Sequence, residues 1–216
     1  MTRTRWTGLA GLLFGLVFFG INIFGPSTPD QNGHDAVNKY AAYWSNHDHQ
    51  IKARVAMLLA SYACILLLAF AAGLRDRLRA VDAGPLPSYC LAAGTAAAAL
   101  LGSGAGISFA VGLAGADTSS FKADGALGVL VDEAGYGMLA IGLMAAGSMA
   151  VAVGIVTLRT RVLPAWTAWL GFLLGLSVVG SLFSAWTAFI GLPLWSVVVG
   201  ITMLVRTDAV EPVAAA

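Results

Sequence analysis

Long uncharged stretches, separated by short charged clusters, set the pattern of this chain. No Asp, Glu, Lys or Arg lies between Arg5 and Asp30, a gap of 24 residues. The gaps from Arg54 to Arg75, Asp82 to Asp117 and Glu133 to Arg159 hold 20, 34 and 25. Each fits one helical crossing of a bilayer, which needs about 20 residues at a rise of about 1.5 Å. The gap from Arg161 to Arg206 holds 44 residues. As one helix it would measure roughly 65 Å, twice the hydrocarbon thickness, so it reads as a hairpin of two spans. The pattern therefore predicts an all-α, polytopic membrane helix bundle with six transmembrane helices, over 8–24, 51–74, 88–113, 131–158, 164–183 and 186–205. In the loop before the second span, Val37, Tyr40, Ala41 and Trp44 recur at helical spacing. They predict a short amphipathic helix over about 34–45, lying on the outer membrane surface or capping the bundle as a lid.

Composition agrees: 58% of the residues are hydrophobic and 11% are charged, against about 25% charged in a soluble domain. The whole chain, 1–216, reads as a single transmembrane domain. Arg3, Arg5, Arg75, Arg77, Arg79, Arg159, Arg161 and Arg206 all fall on one side of the six-span arrangement. The positive-inside rule makes that side cytoplasmic, with both chain ends in the cytoplasm of a multi-pass protein of the cell (inner) membrane. Lys39, Lys52, Arg54 and Lys122 are the exceptions, outside among several aspartates. A net charge of +1 gives no sign of a nucleic-acid partner. The N-terminal segment resembles a signal peptide, but Gly20 to Pro29 offers no small-x-small cleavage site. It reads as a retained first helix. Cys64 and Cys90 fall at different depths, so no disulfide is expected between them.

Pro193 lies inside the sixth span and is expected to kink it, turning Trp195 towards the bundle. Trp6, Trp166 and Trp169 fall at the inner interface, and Trp44 and Trp186 at the outer one. Trp195 falls near mid-depth, where it would line a cavity, fill core space or face lipid. The glycine pairs Gly11/Gly15, Gly102/Gly106 and Gly171/Gly175 have the spacing that lets helices approach closely, and read as packing.

The acids with most to say are Asp132 and Glu133, set in an apolar run at the outer end of the fourth span. A carboxyl in a membrane segment is a functional hypothesis by default. It has a bland alternative of equal weight, in which the two acids cap the positive N-terminal end of that helix. Asn22 reaches a similar depth on the first helix, as a pocket group or an interhelical hydrogen bonder. Tyr136, one turn from Asp132, would orient it, line a pocket or belong to the aromatic belt. His34, His47 and His49 lie in the outer loop beside Asp35 and Asp48. Their spacing fixes no third ligand, so no metal site is assigned. Nucleophile elbows, Cys-x-x-Cys pairs and phosphate loops are absent from the sequence, and no cofactor is expected.

Three segments stand out: Tyr40-Ala-Ala-Tyr-Trp-Ser-Asn-His with the later Gly73-Leu-Arg, Val162-Leu-Pro-Ala-Trp-Thr-Ala-Trp-Leu-Gly171, and Gly191-Leu-Pro-Leu-Trp with Leu204-Val-Arg. In these segments the chain resembles a family of uncharacterised six-helix bacterial membrane proteins, a domain of unknown function. This resemblance implies a fold and no activity. More loosely, size, helix count and acids among aromatics are similar to membrane-bound terpene cyclases, from which no residue role carries over. The expectation drawn from the residues is an integral membrane enzyme using acid catalysis on a lipophilic, isoprenoid-like substrate. Asp132 and Glu133 are its candidate proton donors, and Asn22, Trp44, Tyr136, Trp186 and Trp195 its pocket. The alternatives are a small-molecule or proton-coupled transporter and a non-catalytic binding or assembly protein. The partners expected are a lipophilic small molecule and membrane lipids.

Overall fold

The fold, a computed structural model, describes residues 3–27, 29, 35–118, 120–180 and 186–205, without the side chains of 179, 180 and 186–188. The described residues form eight helices and include no strand. They are α1 (Arg3–Phe24), α2 (Ala36–Trp44), α3 (His47–Arg79), α4 (Leu86–Ser108), α5 (Ala110–Asp117), α6 (Gly125–Thr160), α7 (Ala165–Gly180) and α8 (Trp186–Val205). Four of them, α1, α3, α4 and α6, are long and apolar enough to cross a membrane. The helices α7 and α8 contribute shorter apolar stretches, Ala165–Val178 and Phe189–Val205.

The long helices form a closed ring, in which α1 packs on α3, α3 on α4, α4 on α6, α6 on α7, α7 on α8, and α8 back on α1. Small residues permit the closest crossings. A Cβ at Gly104 of α4 would lie 2.9 Å from the Gly135 carbonyl of α6, so that crossing is open only to glycine. At the α1/α8 crossing, a Cβ at Gly8 would lie 2.7 Å from Gly200 O, and one at Gly200 2.6 Å from Gly8 O. The main core fills the ring with Phe14, Leu67, Phe70, Leu74, Met149, Trp195 and Met203. A second, smaller core of Tyr40, Trp44, Ala53 and Val111 joins α2 to α3 and α5.

Several boundaries differ from the sequence reading, for physical reasons. The helix expected over 51–74 runs from His47 to Arg79, because its polar turns continue beyond the apolar stretch. Asn46 caps it, its side chain accepting from Asp48 N at 2.9 Å. The helix expected over 88–113 bends at Phe109 (φ −93°, ψ 0°) into α4 and α5. Backbone bonding nearly continues there, with Phe109 N donating to Ala105 O and Leu113 N to Phe109 O, both at 3.0 Å. The helix expected over 131–158 starts earlier, at Gly125. Its cap is Asp124, whose Oδ1 accepts from Ala126 N at 2.8 Å and Leu127 N at 3.4 Å. This corrects the capping role considered for Asp132 and Glu133, which lie two turns inside α6.

The C-cap of α6 is Arg161 in the left-handed conformation, φ 58°. Helix α8 continues unbroken through Pro193, and Ser196 Oγ donates to the Pro193 carbonyl at 2.8 Å. The end of the fifth expected span, 181–183, lies outside the described residues.

Candidate functional site

Inside the ring, between the C-terminal half of α1 and the middle of α3, lies a cavity of about 370 Å³, within the range of small-molecule sites. Phe14, Phe18 and Ile21 of α1 face it, with Ala60, Ala63, Cys64 and Leu67 of α3 opposite. Leu101, Ala105 and Phe109 close the α4 side, and Leu139 of α6 and Phe189 of α8 complete the wall. The phenylalanines project because the facing positions are small: alanines at 60, 63 and 105 leave the space that the rings border. Phe14 and Phe18 stand one turn apart with ring centroids 5.7 Å apart, and Phe18 lies 6.1 Å from Phe189. Polar groups enter through Asn22 and, past the end of α1, Ser27. The described lining contains no carboxylate.

Ser27 connects this cavity to α2. Its side chain hydrogen-bonds the Tyr43 phenol. Tyr43 is half-buried, and its ring stacks on His49 at 3.8 Å and meets Trp44 edge-on at 5.0 Å. His49 Nδ1 sits 2.9 Å from the Tyr43 carbonyl. Burial pushes the Tyr43 phenol above the usual tyrosine range; the negative charge of Asp132 adds to this, and the Ser27 bond opposes it. One turn earlier on α2, the fully buried Tyr40 donates to Asp132 Oδ2 at 2.6 Å. Tyr40 and Trp44 fall on the same face of α2, four residues apart, and Gly128 of α6 leaves room for both rings. Asp132 therefore receives a hydrogen bond from α2.

The expected site residues do not all converge. Asn22 lines the cavity, and its Nδ2 bonds within its own helix to Phe18 O at 3.0 Å. Asp132 is half-buried beside α2, while Glu133, on the next residue of the turn, is exposed. Tyr136 is 45% exposed, and the tyrosine bonded to Asp132 is Tyr40. Trp44 belongs to the smaller core with Tyr40, Ala53 and Val111 and is 2% exposed. Trp195 is buried against Phe70, centroids 5.9 Å apart at 65°, and its Nε1 has no hydrogen-bond partner. It faces the bundle but not the cavity wall. The Trp186 side chain and His34 lie outside the described residues. Cys64 and Cys90 are free thiols, the first on the cavity wall.

Sequence reasoning missed the cavity phenylalanines, Ser27 and Tyr43. Helices that are apolar on every side carry no periodic signal to tell an inward ring from one facing lipid. The signal for Tyr40 was present, since its helical spacing marked the buried face of α2, but its partner is 92 residues away. No protein-family model matches the chain, and no curated protein or solved structure matches it either.

Proposed function

We propose that this is a six-span membrane protein, with both ends on the cytoplasmic side, that binds a lipophilic, isoprenoid-like molecule between α1, α3 and α4. The observation that carries the reading is the cavity itself. It is lined by Phe14, Phe18, Phe109 and Phe189 along its length and by Asn22 and Ser27 where α1 ends. An apolar chain with one hydrogen-bonding end matches that distribution, because a chain burying roughly 25 cal/mol per Å² needs no polar partner except at its head. Support for counting α7 and α8 as spans comes from their apolar character and their places in the closed ring. The arginines gathered at one set of helix ends support the orientation.

Binding is tested through Cys64, which stands on the cavity wall, whereas Cys90 is fully buried. A fifteen-carbon isoprenoid alcohol should slow alkylation of Cys64 saturably, and Ala63→Phe, which fills the cavity, should abolish the protection. Unchanged alkylation at saturating alcohol, with the protein folded by its melting curve, would refute the reading.

A catalytic version of the same reading has one observation in its favour. Ser27 touches both the cavity and Tyr43, and Tyr43 feels the charge of Asp132, so polar groups run from the acid to the ligand site. In this version Asp132, first protonated from solvent, passes a proton through Tyr43 and Ser27 to a substrate double bond, the aromatic walls stabilise the cation, and a proton lost from carbon returns by the same path to Asp132. Turnover of isoprenoid substrates that disappears in Asp132→Asn and survives in Glu133→Gln would establish it. Full turnover in both variants would remove the acids from the chemistry.

A further inference from the structure

At the start of α1 and the end of α3, these helices and α8 enclose a second pocket, of about 290 Å³. Arg3 and Thr4 from the start of α1 line it, together with Thr7, Gly73, Arg77 and Met203. The missing Cβ of Gly73 lets Thr7 of α1 settle against α3, and this close approach shapes the pocket floor. Thr7 Oγ1 already donates to Arg3 O at 3.1 Å.

The charge here is unbalanced. Asp76 also lines the pocket, but it faces Arg75 at 3.5 Å. Among the described residues the ion pairs are Arg75–Asp76 and Arg54–Asp117, so neither Arg3 nor Arg77 has a described carboxylate partner. Arg77 is held in place: its Nη2 reaches the Val162 carbonyl at 3.4 Å, in the turn between α6 and α7. Its Nε is buried with no hydrogen-bond acceptor. A buried N–H of a charged group without an acceptor is costly, and a guanidinium fork is the side chain best suited to a tetrahedral oxyanion.

We infer that the pocket between Arg3 and Arg77 is a binding site for a phosphate-type anion, with the Thr4 hydroxyl at its rim. Its position at the arginine-rich helix ends makes an anionic phospholipid headgroup one source of that phosphate and a free soluble phosphate the other. The site is independent of the apolar cavity, which lies between the C-terminal half of α1 and the middle of α3.

The test uses the full chain in nanodiscs of phosphatidylcholine, with and without phosphatidylglycerol, followed by melting curves and native mass spectrometry of retained lipid. A separate arm adds inorganic phosphate to the phosphatidylcholine discs. We expect phosphatidylglycerol to raise the melting temperature and to be retained, with retention falling roughly fivefold in Arg77→Gln and in Arg3→Gln. Arg3 is exposed, so Arg3→Gln probes the anion without disturbing packing. Arg159→Gln removes an arginine outside the pocket and should retain lipid as the unaltered protein does. An Arg3-dependent response to inorganic phosphate alone supports the same site with a soluble ligand. Absence of both responses, or equal losses in Arg159→Gln and Arg3→Gln, overturns the assignment.

Discussion

Tyr40 and Asp132 are joined by a hydrogen bond of 2.6 Å, which ties the short helix α2 to the long helix α6. A phenol donating to a carboxylate is a charge-assisted bond, worth about 1.5–3 kcal/mol. Tyr40→Phe should lower stability by about that amount and increase amide exchange over residues 36–44, with much smaller changes in α1 and α8. A double-mutant cycle with Asp132→Asn should show strong coupling, and additive losses would mean that the bond contributes little.

Asp124 and Glu133 separate capping from surface charge. Asp124→Ala removes the acceptor for Ala126 N and Leu127 N and should cost about 1 kcal/mol. Glu133→Gln alters an exposed position inside the helix and should change the melting temperature little. The reverse order would move the start of α6 to the acids.

Tyr43 predicts the alkaline limb of stability. Its phenol titrates higher in the folded chain than its usual value of about 10, chiefly through burial. The neutral form is therefore favoured by folding, its contribution is complete below the unfolded value, and it is lost as pH rises through the folded one. The stability difference between the unaltered protein and Tyr43→Phe should be flat from pH 7 to about 9 and shrink above about 10. A difference independent of pH to 11 would contradict the burial of this hydroxyl.

Two glycines on neighbouring helices should respond in opposite ways. Gly104→Val places carbon 2.8 Å from Leu139 Cγ and 2.9 Å from Gly135 O, and should prevent α4 from seating on α6, read as loss of a monodisperse folded species. Gly137→Ala meets nothing within 4 Å and should leave the melting temperature equal or slightly raised, because alanine favours the helix.

Much of this fold was legible in the spacing of charges, because a charge inside the hydrocarbon layer is costly enough to mark helix ends. The start of α8 at Trp186 fell where the sequence reading put it, and the buried face of α2 showed in the helical spacing of Tyr40 and Trp44. The early start of α6 was not, since 125–131 is as apolar as the stretch that follows and Asp124-Gly125 was read as loop. Nor was the cavity legible. Phe14 and Phe18 point inward while the equally apolar Leu13 and Leu16 are exposed, and no polar face of α1 records the direction. Asp132 was picked out by the cost of its charge, while its partner Tyr40 and its neighbour Tyr43 came from a loop helix far away in sequence.

The α1/α8 crossing, with Gly8 against Gly200, gives the ring a seam between helices far apart in the chain. A ribosome delivers α1 to the membrane roughly 180 residues before the helix that will flank it, so until then its Gly8 groove and the Phe14–Phe18 edge border lipid. Phe189, which arrives with α8, is the final wall of the chamber. The chamber is thus completed only when α8 arrives, and an acyl chain lodged in the groove has the interval between the two helices in which to be enclosed.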